Sequence, residues 1–139
     1  MTGNALRARI KVINRIDAGD DRPDMIRREY VGTCAELEGG FVLEYDEPDM
    51  TAHVALSCRA GCALLERTGE AQSRMEFAPG QTRPALYALP EGEFDLATEC
   101  GALSVERTAA HGRLRISYRL LSAGAPVSDN RLAVTYWIC

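Results

Sequence analysis

The feature that most constrains this chain is an alternation of apolar and polar residues with period two. It is clearest in the segments 6–13, 52–58 and 131–139, and it recurs along the whole sequence. Because every second side chain of a strand faces the same side, the pattern predicts strands with one buried face. Turn signals rich in Gly, Pro or Asp separate the runs roughly every eight to twelve residues, and about ten short strands at this spacing are typical of an all-β sandwich or barrel.

The segment 24–37 is the best candidate for a helix. Ile26 and Tyr30 have the i, i+4 spacing of a helix face, but Gly32 weakens a helix at this point, and the alternation fits the same residues equally well. We therefore predict a strand here.

Sequential strands joined by short turns favour antiparallel up-and-down connections. Full closure of such a sheet removes its exposed edges. We predict one domain, residues 1–139, that forms a single antiparallel up-and-down β-barrel of about 8–10 strands, with a β-sandwich as the alternative. The runs 93–99 and Leu103–Thr108 are expected to be two of its strands. A barrel of this size is either filled by side chains or holds one small ligand.

Composition limits the classes of partner. With 139 residues, 46% of them apolar, the chain can bury a core without disulfides or a metal. Its net charge of −4 argues against nucleic acid or a membrane surface as partner. The five cysteines are scattered and odd in number, and Arg7 and Arg9 interrupt the only place for a signal peptide. We expect a cytoplasmic protein with free thiols.

Several short landmarks follow one another in a familiar order. They are a Gly-Gly pair before a strand, an Arg-Thr-Gly hairpin end, a Pro-Gly pair, a Pro-x-Gly turn before Phe-Asp-Leu-Ala-Thr, and a later Tyr-bearing strand. In this chain they lie at Gly39–Gly40, Arg67–Gly69, Pro79–Gly80, Pro90–Gly92, 94–98 and Tyr118. The chain thereby resembles the YwiB-like family of small bacterial proteins over about residues 5–137. The resemblance implies a calycin-type (lipocalin-like) barrel, and by analogy a small apolar ligand inside it.

The register of one hairpin decides where Arg67 points. A three-residue turn at 59–61 would set Cys58 opposite Cys62 and turn Arg67 outward, whereas a two-residue turn at Ala60–Gly61 would turn it inward. Since the resemblance marks Arg67 as a landmark, we favour the inward register. An inward arginine needs a carboxylate, carbonyls or an anionic ligand group. An internal ion pair that closes one end of the barrel is the more frequent arrangement.

Tyrosines on the alternating runs are the next candidate ligand contacts. Tyr45, Tyr87 and Tyr118 would supply hydroxyl groups in an apolar interior, and Phe94 would supply an apolar wall. Together with Arg67 they form the predicted ligand-binding set. The alternative is that these are ordinary half-buried strand tyrosines.

The sequence contains no recognisable motif for a metal or a cofactor. Cys58 and Cys62 lack the second pair that a structural zinc site needs, so we expect two reduced cysteines flanking a hairpin and no metal or cofactor. The acidic segments 17–24 and 44–49 do not match a calcium loop and are predicted to be solvated turns. Arg113, Arg115 and Arg119 alternate with apolar residues and are predicted to form an outer strand face.

Two functions remain, and enzymatic activity is a distant third since no catalytic motif is recognisable. The first is a barrel that binds a small apolar or amphipathic molecule, with Arg67 holding an anionic group. The second is a structural or interaction module without a small ligand, either monomeric or a homodimer that pairs through an exposed strip such as Trp137–Ile138. The resemblance supports the fold and leaves this choice open.

Overall fold

Each alternating run forms a strand in the computed structural model, which describes residues 4–19, 21–89 and 92–139. A single 3₁₀ turn at Pro48–Met50 interrupts them. The strands are β1 (Leu6–Asp17), β2 (Asp24–Leu37), β3 (Gly40–Glu47), β4 (Ala52–Arg59), β5 (Cys62–Gly69), β6 (Gln72–Phe77), β7 (Thr82–Leu89), β8 (Gly92–Arg107), β9 (His111–Ser122) and β10 (Ala125–Ile138).

Every strand pairs antiparallel with the next one along the chain, and β10 pairs with β1. The sheet is therefore closed, and its ten strands form one up-and-down barrel. The predicted barrel is confirmed, and the sandwich alternative is wrong. The segment 24–37, where Ile26 and Tyr30 have helical spacing, lies entirely in a strand. None of the helical turns in the described ranges is long and apolar enough to cross a membrane.

The two strands predicted at 93–99 and Leu103–Thr108 are one strand, and this prediction of separate strands is wrong. Within β8, Cys100 pairs with Tyr118, but the next pair is Ala102 with Ser117, so Gly101 is an extra residue in a β-bulge. A bulge shifts the alternation by one residue while the strand continues. In the sequence alone, that shift resembles a strand end.

The inward side chains of the alternating strands fill the middle of the barrel. The largest of those with less than 2% of their surface exposed are Ile10, Phe41, Leu43, Val54, Leu56, Phe77, Thr98, Cys100, Leu114, Ile116 and Val134. Their burial removes a continuous apolar layer from water, which stabilises the closed sheet at about 25 cal/mol per Å² of apolar surface.

The hairpin between β4 and β5 has a two-residue turn. Arg59 pairs with Cys62, and between them Ala60 and Gly61 have φ values of 50° and 76°. Positive φ at both central residues is the requirement of a type I′ turn, which matches the twist of the two strands. Cys58 therefore faces the interior opposite Ala63 and Cys62 is exposed, so the two cysteines do not face each other. The same register turns Arg67 inward, as favoured above.

The barrel has two ends that differ in their side chains. We call one the tyrosine end, where β1, β3, β5, β7 and β9 end. The other, which we call the capped end, is where β2, β4, β6, β8 and β10 end.

Candidate functional site

An ion pair lies inside the tyrosine end. The Arg67 Nε donates to Glu47 Oε1 at 2.5 Å, and its Nη2 donates to Oε2 at 3.2 Å. A third hydrogen bond, 3.3 Å long, runs from Nη1 to the Ser73 hydroxyl. The side chains of Arg67 and Glu47 are only 17% and 12% exposed. Burial alone lowers the pKa of Arg67, but the hydrogen bonds and charge of Glu47 outweigh it, so that this pKa is raised.

Four tyrosines surround this ion pair on inward positions. Tyr30 and Tyr45 stack with ring centroids 4.4 Å apart, and Tyr118 packs on Phe77 at 4.7 Å. Tyr87 lies opposite the buried Ser73 that binds Arg67. Burial raises the pKa of Tyr30, Tyr45 and Tyr118, while the positive charge of Arg67 opposes that rise. The phenols of Tyr30, Tyr45 and Tyr118 are therefore neutral hydrogen-bonding groups across the physiological pH range.

Asn14 contributes a polar atom without a partner. It lies on β1 on the same inward face as Ile10, and a hydrogen bond from its side chain lowers the pKa of Tyr118 against the larger effect of burial. Its Oδ1 atom is buried and has no hydrogen-bond partner within the described part of the chain. A buried carbonyl oxygen of this kind costs about 1–3 kcal/mol unless a donor such as water or a ligand satisfies it.

Apolar side chains form the rim above these polar groups. Phe94 pairs with Tyr87 across β7 and β8, and the two rings lie 5.9 Å apart. Phe94 is on the inward register predicted for it, but half of its surface is exposed because it lies only two pairs from the last pair of the hairpin, Leu89 with Gly92. It is thus a rim residue and not a wall of the interior. Ile26, opposite Asn14, is likewise exposed.

The structure therefore brings all five predicted ligand contacts to one end of the barrel. Arg67, Tyr45 and Tyr118 lie below the rim, Tyr87 is half-buried, and Phe94 is at the rim. Below them Phe77, Ile116 and their neighbours leave the middle of the barrel filled. A hollow of about 450 Å³ beside Glu47 and Gly69 lies on the outer side of the tyrosine end, since Asp46, His53 and Thr68 also line it.

A second inward arginine lies at the capped end. Arg107 binds both carboxylate oxygens of Glu36, donates from Nε to the Tyr136 hydroxyl at 2.8 Å, and lies 4.1 Å above the centre of the Phe41 ring. Burial lowers its pKa, but the hydrogen bonds to Glu36 and Tyr136 outweigh that and raise it. This arrangement covers the apolar core.

A glycine makes this cover possible. Gly112 pairs with Arg107 on one side and with Tyr136 on the other. A Cβ atom at Gly112 would lie 2.4–2.6 Å from atoms of the Tyr136 ring. The missing side chain therefore leaves the space in which the ring lies and in which its hydroxyl reaches Arg107.

Sequence reasoning missed several of these groups. Glu47 was predicted to be part of a solvated acidic turn, and that prediction is wrong, because the alternation of Phe41, Leu43 and Tyr45 continues through Glu47 and turns it inward. This alternation is visible in the sequence and was the signal that could have placed Glu47 inside the barrel. Arg107 had none of comparable strength, since its partners Glu36 and Tyr136 belong to strands that are distant in the sequence.

Other candidate groups do not form sites. All five cysteines are free, and burial raises the pKa of Cys34, Cys58 and Cys100. Within the described ranges, no three His, Cys, Asp or Glu side chains are arranged to hold a metal ion. Ile138 packs against the core, and only Trp137 of the predicted Trp137–Ile138 strip is exposed.

Comparisons with known proteins agree with this architecture. Residues 10–134 match the model of a family described as Domain of unknown function (DUF1934). The fold is similar to the crystal structure of ywiB protein from Bacillus subtilis, with a TM-score of 0.87 and 20% sequence identity, over 99% of this chain and 95% of that one. The resemblance to the YwiB-like family is thereby confirmed. No curated protein matches the sequence.

Proposed function

The chain belongs to the family described as Domain of unknown function (DUF1934), and on that premise we propose that its barrel binds a small amphipathic molecule at the tyrosine end. The observation that carries this proposal is the layering of that end. An exposed apolar rim, with Phe94 and Ile26, lies above buried polar groups, among them the unpartnered Oδ1 of Asn14. Concave sites that combine apolar walls with a few convergent polar groups are the usual form of small-molecule sites.

The polar groups favour a particular kind of ligand. Arg67 already has Glu47 as a bidentate partner, so the pair is neutral as a whole. A ligand with a full negative charge would have to displace Glu47, leaving a carboxylate buried and unpaired, which is strongly unfavourable. A hydroxyl or amide group instead donates to Asn14 and accepts from the phenols without breaking the pair. We therefore expect a neutral polar group at the bottom and an apolar or aromatic part at the rim.

Depth sets a limit on ligand size. The middle of the barrel is closed by Phe77, Ile116 and Val54, each with less than 2% of its surface exposed. Long chains of the kind that thread a hollow barrel have no space in this interior. The ligand is a compact molecule of a few hundred daltons at most, held near the rim by contacts such as those with Phe94.

Native mass spectrometry of protein purified gently from its expression host tests the proposal directly. An adduct that is lost on denaturation supports it and gives the mass of the ligand. A second arm uses the neutral fluorescent amphipathic probe N-phenyl-1-naphthylamine on the folded protein. Replacing Phe94 by Ser removes a rim contact and weakens probe binding about fivefold, by analogy with the energy of an aromatic contact.

Leu86→Ser is the matched control, because Leu86 is a similarly exposed side chain on the outer face next to Tyr87. It leaves probe binding unchanged if the site is at the rim. Equal losses in both variants, or no adduct together with no binding of the probe, would contradict the proposal.

An interaction module without a small ligand is the second candidate. The observation in its favour is Trp137, a large apolar side chain that is 41% exposed on the outer face of β10. If two copies pair through it, light scattering at high protein concentration gives the mass of a dimer, and Trp137→Ala restores the monomer. A monomer at all concentrations contradicts the homodimer.

A further inference from the structure

Arginines from four neighbouring strands gather on one outer face of the barrel. We call the outer surface of β2, β1, β10 and β9 the basic face. Eight of its arginines are on the outward register and exposed, and Arg119 among them pairs with Asp129. Within the part of the chain that the structure describes, no carboxylate lies within 4.0 Å of the cationic atoms of six others, Arg9, Arg15, Arg27, Arg113, Arg115 and Arg131. From strand geometry the face measures about 15 by 20 Å.

Charge is distributed very unevenly between this face and the rest of the molecule. With Lys11, the face holds nine of the sixteen basic residues but only three of the twenty acidic ones, Asp17, Glu29 and Asp129. Lys11 and Glu29 lie opposite each other, and Asp17 and Asp129 form a second pair at the tyrosine end. The rest of the chain therefore has seven basic and seventeen acidic residues. The net charge of −4, which argues against a polyanionic partner when averaged over the whole chain, does not describe this face.

One pair in the face works against the stability of the barrel itself. Arg15 on β1 lies directly opposite Arg131 on β10. Like charges directly opposite each other across two strands are destabilising. Their cross-strand neighbours Met25 and Ser117 are uncharged, and the nearest carboxylates on the outward register are those of the next pair, Asp17 with Asp129.

The only tryptophan of the chain lies within this face. Trp137 is opposite Arg9 and is 41% exposed. The two side chains together line two shallow hollows of about 190 and 360 Å³. Exposed aromatic rings beside arginines are the elements with which proteins stack bases and bind the phosphates of single strands.

We propose that the basic face binds single-stranded nucleic acid, with the arginines on the phosphates and a base stacked on Trp137. A two-fold dimer through the same face would bring two arginine clusters together, which the charge disfavours. A lipid surface favours apolar groups that protrude into the bilayer, whereas Trp137 lies within a strand. A duplex keeps its bases paired and offers no free ring to the indole.

Fluorescence of Trp137 reports on this interaction, since no other tryptophan contributes. At about 50 mM salt, a mixed-sequence oligonucleotide of about twelve nucleotides quenches it, and raising the salt to about 200 mM weakens binding steeply. Single-stranded RNA and DNA are both used, and quenching by either supports the proposal. A duplex of the same sequence binds more weakly and quenches less.

Two double variants separate the face from the overall charge. Arg113→Glu with Arg131→Glu, and Arg59→Glu with Arg83→Glu on the opposite side, change the net charge of the protein by the same amount. Binding is measured by the anisotropy of a labelled oligonucleotide. The double variant Arg113→Glu with Arg131→Glu binds at least about tenfold more weakly, and the magnitude of its slope of log K against log salt is smaller by about 1.4. The second pair leaves binding nearly unchanged. Melting temperatures are measured for both to establish that each is folded.

The role of the ring has its own test. Trp137→Ala lowers the affinity about tenfold, and Trp137→Phe restores most of it because the ring is kept. The proposal is overturned by equal losses in the two double variants, or by the absence of binding and quenching at low salt. Equal binding of inorganic polyphosphate, independent of Trp137, or a preference for anionic vesicles overturns the assignment to nucleic acid.

Discussion

The two ends of the barrel carry the same pair of side chains at different depths. At the capped end, Arg107 covers the core and binds a Glu36 side chain that is 67% exposed. At the tyrosine end, Arg67 and Glu47 lie below the rim and are both largely buried. An arginine–glutamate pair therefore covers the core in contact with water at one end, and lies buried among tyrosines at the other. The difference is one of neighbours, since Phe41 and Tyr136 support Arg107 whereas four tyrosines surround Arg67.

The aromatic residues give the largest expected contrast between the ends. Phe41→Ala removes a fully buried ring below Arg107 and lowers the free energy of unfolding by about 3–5 kcal/mol. Phe94→Ala removes a half-exposed rim ring and costs about 1 kcal/mol or less. Urea denaturation of both variants measures the difference. Equal losses would mean that the rim is as well packed as the core, which would also remove the basis for a ligand at the tyrosine end.

The two inward arginines are expected to contribute differently to the free energy of unfolding. Arg67→Met leaves the Glu47 carboxylate buried without a partner and lowers the free energy of unfolding by about 3 kcal/mol. Arg107→Met costs about 1 kcal/mol, because Glu36 remains hydrated and only the ring contact and surface pair are lost.

The double variant Arg67→Met with Glu47→Leu is the control for the buried pair. It removes both charges and is therefore more stable than Arg67→Met alone. If the single and double variants melted together, the cost at the tyrosine end would come from packing, and the ion pair would contribute nothing measurable.

A substitution at Gly112 affects only the capped end. Gly112→Ala places a methyl group against the Tyr136 ring and forces it away from Arg107, at a cost of about 1–3 kcal/mol. Gly101→Ala is the matched control, since a Cβ there has ordinary contacts and the residue lies in the bulge of β8. Thermal unfolding of the two variants separates the loss of space from the general effect of alanine in place of glycine.

How much of this was predictable from the sequence depends on the distance over which residues interact. The alternation in segments such as 6–13 reports on neighbours in one strand, and it was sufficient for the barrel and for the inward position of Tyr45. The bulge at Gly101 shifted that alternation and was mistaken for a strand end. The Arg107–Glu36 pair spans 71 residues, so only the closed topology brings it together.

The basic face also could not be predicted from the sequence, because it is formed by residues on four different strands. Arg113 and Arg115 were visible as a stripe on one strand, and a stripe of this length is typical of any outer face. The pairing of β1 with β10 places Arg15 beside Arg131 and joins the stripes of separate strands into one surface. That pairing closes the barrel between its first and last strands, and local periodicity contains no information on its register.

The smallest expected effect concerns an ion pair that lies outside both ends. On the outer face of β3 and β4, His53 hydrogen-bonds Asp46 at 2.8 Å and Glu44 at 3.2 Å, and these bonds, that to Asp46 first, raise its pKa above the ordinary value of about 6.5. A raised pKa in the folded state stabilises the protein below the unfolded pKa, and this stability is lost as the pH rises through the folded value. Because the three side chains are 44–81% exposed, the change is small and screened by salt. Imidazole resonances, assigned with His53→Gln, give the midpoint. A titration midpoint of His53 at or below 6.5 would mean that exposed carboxylates do not raise its pKa. Ion pairs in this barrel would then change a pKa only where they are buried, as Arg67 and Glu47 are at the tyrosine end.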